Sequence, residues 1–139
     1  MVNSSVLKED GHQKNMQKGI SIMSTTVTQV AAANSTEALA HFAALLTFET
    51  DCWDVHYALT EQQPDFVVVD VRSPELYGAG HLPQAINIMH GKLTRHRLRA
   101  FSDDTLFVVY CAGPHCNGAN KAAVHLARLG RPVKLMIGG

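Results

Sequence analysis

Two runs of apolar, β-branched residues dominate the pattern: FVVVDV at 66–71 and LFVVYC at 106–111. Short runs without polar alternation predict strands buried on both faces, as in a parallel sheet. AINIM (85–89) and PVKLMI (132–137) predict two further strands. Helical patterns lie between and before them. Asn34-Ser35-Thr36 offers caps ahead of EALAHFAALLTF, where Ala40, Ala43, Ala44 and Phe48 share a face. Thr50-Asp51 opens a second helix, CWDVHYALTEQ, with Trp53, Tyr57 and Leu59 inward, and Pro64-Asp65 breaks it. Ser73-Pro74-Glu75 starts a short helix with Ser73 as cap and Pro74 at its first position, and Gly78 and Gly80 end it. HGKLTRHRLRAF predicts a basic helix. NKAAVHLARLG predicts an amphipathic one closed by Gly130. Strands alternating with helices define an α/β domain with a parallel sheet.

Residues 1–30 show no periodicity and are read as a flexible tail, with residues 31–139 as the domain. The 139 residues are one domain's worth, 46% of them apolar, enough for a core without disulfide staples. Twelve basic residues balance twelve acidic ones, which argues against a nucleic-acid partner and against an anionic membrane. No run reaches the eighteen or so apolar residues of a membrane span, and the polar start carries no apolar signal core. The expectation is a cytoplasmic, reducing setting. There the three cysteines, Cys52, Cys111 and Cys116, are catalytic, metal-bound or inert rather than structural bridges.

Cys111 ends the second strong strand and precedes a small-residue loop, CAGPHCNGA, that leads into a helix. In open α/β sheets, ligands bind beyond the carboxyl ends of the strands. A loop wound back on itself can aim backbone N–H groups inward, and the helix adds its own free N–H groups and positive dipole end. Such a cradle lowers a thiol's pKa and holds an anion over the sulfur. Gly113, Gly118 and Ala119 allow close approach of the backbone. The alternative is a buried, inert strand-end cysteine.

Three segments resemble the rhodanese family: DFVVVDVRSPELYGAGHLPQAINI, VVYCAGPHCNGANKAA and the closing VKLMIGG. The resemblance runs from about Asp65 to Gly139 and implies a three-layer fold with a central, mostly parallel sheet flanked by helices. It implies a sulfurtransferase that needs no cofactor or metal. Cys111 would take a sulfane sulfur as a persulfide from a small donor and pass it to a thiol or cyanide. The amides of Ala112, Gly113, Pro114, His115, Cys116 and Asn117 would form the anion-binding loop. Asp70, Arg72, Glu75 and His81 match the first motif and would support the loops, with Asp70 or Glu75 pairing Arg72.

The chain also departs from the family pattern. Where a family loop usually carries Arg, five positions after the cysteine, this one has Cys116. That weakens the case for thiosulfate, a dianion, and the missing Arg fork argues against phosphatase chemistry. The family's Gly-Gly normally opens a last helix. None follows here, so a dimer or a partner protein would cover that surface. Cys116 is expected to lie in the loop with its N–H facing Cys111 and its side chain turned away, with no disulfide at rest. Two other functions compete with sulfur transfer: a thiol redox or sensing module built on Cys111 and Cys116, and a non-enzymatic binding domain. Cys52 and His56, four apart on a helix, are read as core packing rather than metal ligands. The basic stretch His90, Lys92, Arg95, His96, Arg97 and Arg99 is read as a solvated face.

Overall fold

The computed structural model describes residues 23–139; the expected tail is outside the described residues up to position 22. The chain divides into two compact units at Leu39, and Ala40–Gly139 is the unit that carries the sheet. Helix α1 spans Ser35–Phe48, strand β1 Glu49–Asp51, helix α2 Cys52–Glu61, strand β2 Phe66–Asp70 and helix α3 Pro74–Ala79. Strand β3 is Ile86–Asn87, strand β4 Leu106–Tyr110, helix α4 Gly118–Arg128 and strand β5 Val133–Ile137. The five strands are parallel, in the order β1-β5-β4-β2-β3. The two apolar runs are the paired strands β2 and β4, in register from Phe66 opposite Leu106 to Asp70 opposite Tyr110.

Alternation along the strands divides the core into two layers. Val69, Phe107, Val109 and Cys111 pack on one face, against Ala119, Ala122 and Leu126 of α4 and against Leu93 and Leu98. Val68, Val108 and Tyr110 pack on the other with Val55, Ala85 and Met136, flanked by Leu59 of α2 and Tyr77 of α3. The result is a sheet covered by helices on both faces.

Local chemistry sets the helix ends. The carboxylate of Asp51 accepts from Asp54 N at 2.8 Å, and Ser73 Oγ accepts from Leu76 N at 3.3 Å with Pro74 at the first position. Helix α4 closes in a Schellman motif: Gly130 N donates to Ala127 O, Arg131 N donates to Leu126 O, and Gly130 takes φ +73°.

Several expectations are corrected. Glu49–Asp51 is a further strand, paired along β5, and Asp51 at its end caps α2 where the sequence placed the helix start. Trp53 and Tyr57 are exposed, and Val55 is the buried side chain of α2, with Leu59 half-buried beside it. On α1 Ala44 is half-buried, while Ala40, Ala43 and Phe48 are exposed. The stretch 90–101 is no α-helix but a 3-10 turn, His90–Lys92, followed by hydrogen-bonded turns. It follows the core instead of helical periodicity, burying Leu93 and Leu98. Arg131 pins it by donating to the carbonyls of Leu98, Phe101 and Ser102.

Candidate functional site

The carboxyl ends of β2 and β4 bring most of the predicted residues to one edge of the sheet, but on opposite faces. On one face Asp70, with no exposed surface, receives the Arg72 guanidinium: Nε donates at 3.0 and 3.1 Å, and Nη2 at 2.7 Å. The Arg72 backbone N–H adds a bond at 3.0 Å, and the Tyr110 hydroxyl donates at 2.8 Å. Burial opposes the charge of Asp70, but the hydrogen bonds from Arg72 and Tyr110 outweigh it and hold the carboxyl below its usual range. The same bond raises the Arg72 pKa. Burial first, and then the hydrogen bond to Asp70 and its charge, push the Tyr110 phenol up to about 12. Tyr110 Oη accepts from Leu82 N at 3.1 Å, and Arg72 Nη2 donates to Gly80 O at 2.6 Å. The knot therefore holds the end of α3 and the loop after it. Asn87 Nδ2 donates to the carbonyls of Asp70 and Arg72, both at 3.0 Å.

Asp70, not Glu75, pairs Arg72; Glu75 is exposed. His81 is exposed and stacks on Tyr77, with ring centroids 3.6 Å apart, and its Nδ1 is 2.8 Å from Tyr77 O. Neither lies with the cysteine. Tyr110 was legible only as part of a strand; its polar role depends on Asp70 standing opposite in the register.

Cys111 belongs to the other face, at the carboxyl end of β4, and is 8% exposed. Beside it lies a cleft of about 260 Å³ whose walls include Cys111, Pro114, Cys116, Ala119, Asn120 and, across β5, Glu49. Glu49 is the charged side chain of that wall among the described residues. The loop is not wound around the first sulfur as expected. Gly113-Pro114-His115-Cys116 forms a β-turn closed by Cys116 N donating to Gly113 O at 3.0 Å, with Pro at its second position. Gly113, at φ +134°, takes a conformation that side chains rarely adopt.

The turn reverses the chain and folds the Cys116 side chain inward. The expectation of separate thiols is thus corrected: Cys111 and Cys116 are joined as a disulfide, with Cα atoms 6.3 Å apart, within the ordinary span. The Cys116 N–H is committed to the turn and Pro114 has none, so neither amide is free to face an anion. Ala112 and His115 are exposed, and Asn117 precedes α4. Gly118 N, at the start of α4, donates to Cys116 Sγ at 3.4 Å. A Cβ at Gly118 would stand 2.8 Å from Cys111 Sγ and 3.3 Å from Cys116 Sγ, so only glycine admits both sulfurs.

Cys52 is exposed and its thiol donates to Ile137 O at 3.4 Å. With His56 it lines a separate apolar pocket of about 120 Å³ beside Val55, Leu59 and Met136. No cluster of metal-ligating side chains occurs among the described residues. No helix among them is long and apolar enough to cross a membrane.

A parallel α/β sheet with a cysteine at the carboxyl end of a central strand, followed by a small-residue loop and a helix, defines an α/β domain with a cysteine at the edge of its sheet. The rhodanese-like domain model matches residues 54–139, and the chain belongs to that family. The BH2092 protein of Bacillus halodurans is 40% identical, with a TM-score of 0.73 over 76% of this chain and 77% of that one. The rhodanese-like domain of the Alr3790 protein from Anabaena shares the fold, at 23% identity and TM-score 0.56 over 65% and 68% of the two chains. A 76-residue stretch, 54% of this chain, is 43% identical to the HTH-type transcriptional regulator Rv0324 of Mycobacterium tuberculosis. That stretch is 33% of the regulator's length.

Proposed function

We propose that the protein is a sulfurtransferase in which reduced Cys111 accepts a sulfane sulfur as a persulfide and delivers it to a thiol or cyanide. The observation that carries this reading is the position of Cys111, at a strand end beside an open cleft and against the start of α4. Unpaired N–H groups at a helix start favour a thiolate and an added anionic sulfur. Ala112, Gly113, His115 and Asn117 offer the loop amides for the outer sulfur. Asp70, Arg72, Glu75 and His81 take supporting roles on the far side of the sheet.

The donor class follows from charge. The cleft wall carries the carboxylate of Glu49 and no lysine or arginine among the described residues. A dianion such as thiosulfate meets repulsion there, whereas an organic persulfide, carrying its reactive sulfur at an uncharged or singly charged end, meets little or about half as much. The test is to reduce the protein, add a low-molecular-weight persulfide and map the added sulfur by mass spectrometry. The first sulfur adduct, trapped by early alkylation, should lie on Cys111. If Cys111→Ser transfers sulfur at the parent rate, the assignment is wrong.

The Cys111–Cys116 bond favours a second reading, a thiol redox or sensing module. The likeness to part of a transcriptional regulator is compatible with it. A donor-treated protein that forms only the disulfide under oxidant, and never binds sulfur, would favour that reading. In either case a reducing, cytoplasmic setting is the one in which the pair would cycle.

A further inference from the structure

We propose that Cys116 is a resolving cysteine that discharges the Cys111 persulfide as hydrosulfide, making the domain a thiol-dependent persulfide reductase; this rests on the sulfur-accepting role of Cys111 above. Three observations carry it. The Gly113–Cys116 turn delivers Cys116 Sγ to Cys111 Sγ, and the two form a bond within one folded loop. Gly118 leaves the space both sulfurs occupy, since a Cβ there would collide with them. Gly118 N, in the first turn of the eleven-residue helix α4, donates to Cys116 Sγ, so that sulfur receives the stabilisation a thiolate needs. A cysteine serving as filler would require none of these, and no cation occupies the place of the usual loop arginine to retain an anionic outer sulfur.

The step balances without an added oxidant. The Cys116 thiolate attacks Cys111 Sγ, the inner sulfur of the persulfide. A Cys116–Cys111 bond forms and the bond from Cys111 Sγ to the outer sulfur breaks. Its electron pair leaves with that sulfur as HS⁻, which takes a proton from water according to pH. The sulfane sulfur is reduced to sulfide and the two cysteine sulfurs are oxidised to the disulfide. A dithiol, or two monothiols in sequence, then reopens the bond and is itself oxidised to a disulfide. The disulfide form of the loop is thus the state left after discharge, and the cleft beside both cysteines gives the departing sulfide its exit.

The experiment is a single turnover. The full chain is reduced, freed of reductant and mixed with glutathione persulfide in the absence of other thiol. Released sulfide and intact mass are then followed together. The parent should release about one sulfide per chain and end as the disulfide, lighter by two hydrogens. Cys116→Ser should stall as the Cys111 persulfide, heavier by one sulfur, with sulfide release slowed roughly tenfold or more. Cys116→Ala, lacking any hydroxyl, should stall likewise, and circular dichroism checks that both variants fold.

Parent protein that keeps the added sulfur with Cys116 still free would overturn the proposal and leave Cys111 as a carrier. So would sulfide release from either Cys116 variant at the parent rate. A folded Cys116→Ser variant that never acquires sulfur on Cys111 would overturn both the resolving role and the sulfurtransferase reading.

Discussion

The ends of β2 and β4 carry two polar clusters that differ in kind. Asp70, Arg72 and Tyr110 form a knot: both oxygens of the buried carboxylate are engaged, and Nε and Nη2 of the guanidinium bond Asp70 and the Gly80 carbonyl. Cys111 and Cys116 lie on the opposite face, beside an open cleft, in a loop with no fixed cation. The knot lies on the face away from the cysteines, and its geometry serves to fasten α3 and the Leu82 loop to the sheet. The cysteine loop has reactive atoms and access, but little beyond one turn and one glycine holding it. On the proposed reaction, the residues that make the family motif easy to recognise are not the ones that meet the sulfur donor. Substitutions in the knot should cost stability, and substitutions in the loop should cost chemistry.

The largest effect expected is at Cys111. On the proposed reaction Cys111 forms the covalent intermediate, so Cys111→Ser should lower sulfur transfer by at least about a thousandfold. Its thermal unfolding should stay close to that of the reduced parent. Steady-state transfer and a melt on the same sample make the check; a collapse of the fold would erase the contrast with the knot.

Arg72→Ala should do the reverse. It strands the fully buried Asp70 carboxylate without its cation, at a cost of about 3–5 kcal/mol. Chemical denaturation should register that loss, while the Cys111 reaction, per folded molecule, changes by only a few-fold. An unchanged denaturation midpoint with lost transfer would move Arg72 to the reacting side. Acid provides an independent probe. The folded pKa of Asp70 lies below its unfolded value, so its ionised form stabilises the fold above about pH 4. That contribution fades as pH falls through the folded value, and Asp70→Asn should flatten this acid limb.

How far the sequence discloses this division depends on the range of the forces involved. β2 and β4 were legible because burial on both faces leaves an unbroken β-branched run. The Ser73-Pro74 helix start and the Gly130 stop were legible because they are local chemistry. Glu49–Asp51 was not, since a three-residue polar strand exists only through its neighbour. The spacing in 90–101 mimicked a helix, but the contacts of Leu93 and Leu98 with α4 decide its path. At the site Cys111 was placed correctly at a strand end, and Arg72 was expected to pair with Asp70 or Glu75, of which the fold selects Asp70. Two things were missed. Tyr110 completes the knot only through register, and the Gly-Pro-His-Cys turn points Cys116 inward. The second had a local signal in the proline after glycine, a common β-turn start.

The open cluster predicts a charge effect smaller than either of these. Glu49→Lys exchanges the carboxylate on the cleft wall for a cation. The kcat/KM for thiosulfate should rise roughly tenfold at low salt and lose that gain as salt is added. An uncharged organic persulfide should hardly respond. Equal gains for both donors would show that the substitution acts on the loop rather than on the donor's charge, and would remove the electrostatic argument for donor class.

The finest test of the comparison is Tyr110→Phe, because Tyr110 adjoins Cys111 in sequence yet serves the other face. The variant keeps the ring in its core layer and removes only the hydroxyl, which donates to Asp70 and accepts from Leu82 N. Arg72 still engages the carboxylate, so no charge is stranded, and the loss should be about 1–2 kcal/mol. The pH dependence gives the sign. The phenol's pKa is raised to about 12 from an ordinary 10.0, so folding favours the neutral, donating form. Its stabilisation is fully present below about pH 10 and is lost as pH rises towards 12. The parent should therefore show an alkaline decline in stability over that window that Tyr110→Phe lacks. Denaturant midpoints at pH 8 and at pH 11 measure it. If the two proteins decline in parallel, the phenol is not the titrating group. If Tyr110→Phe instead lowers the rate of sulfur uptake at Cys111 as much as it lowers stability, the two faces are coupled and the division between knot and loop fails.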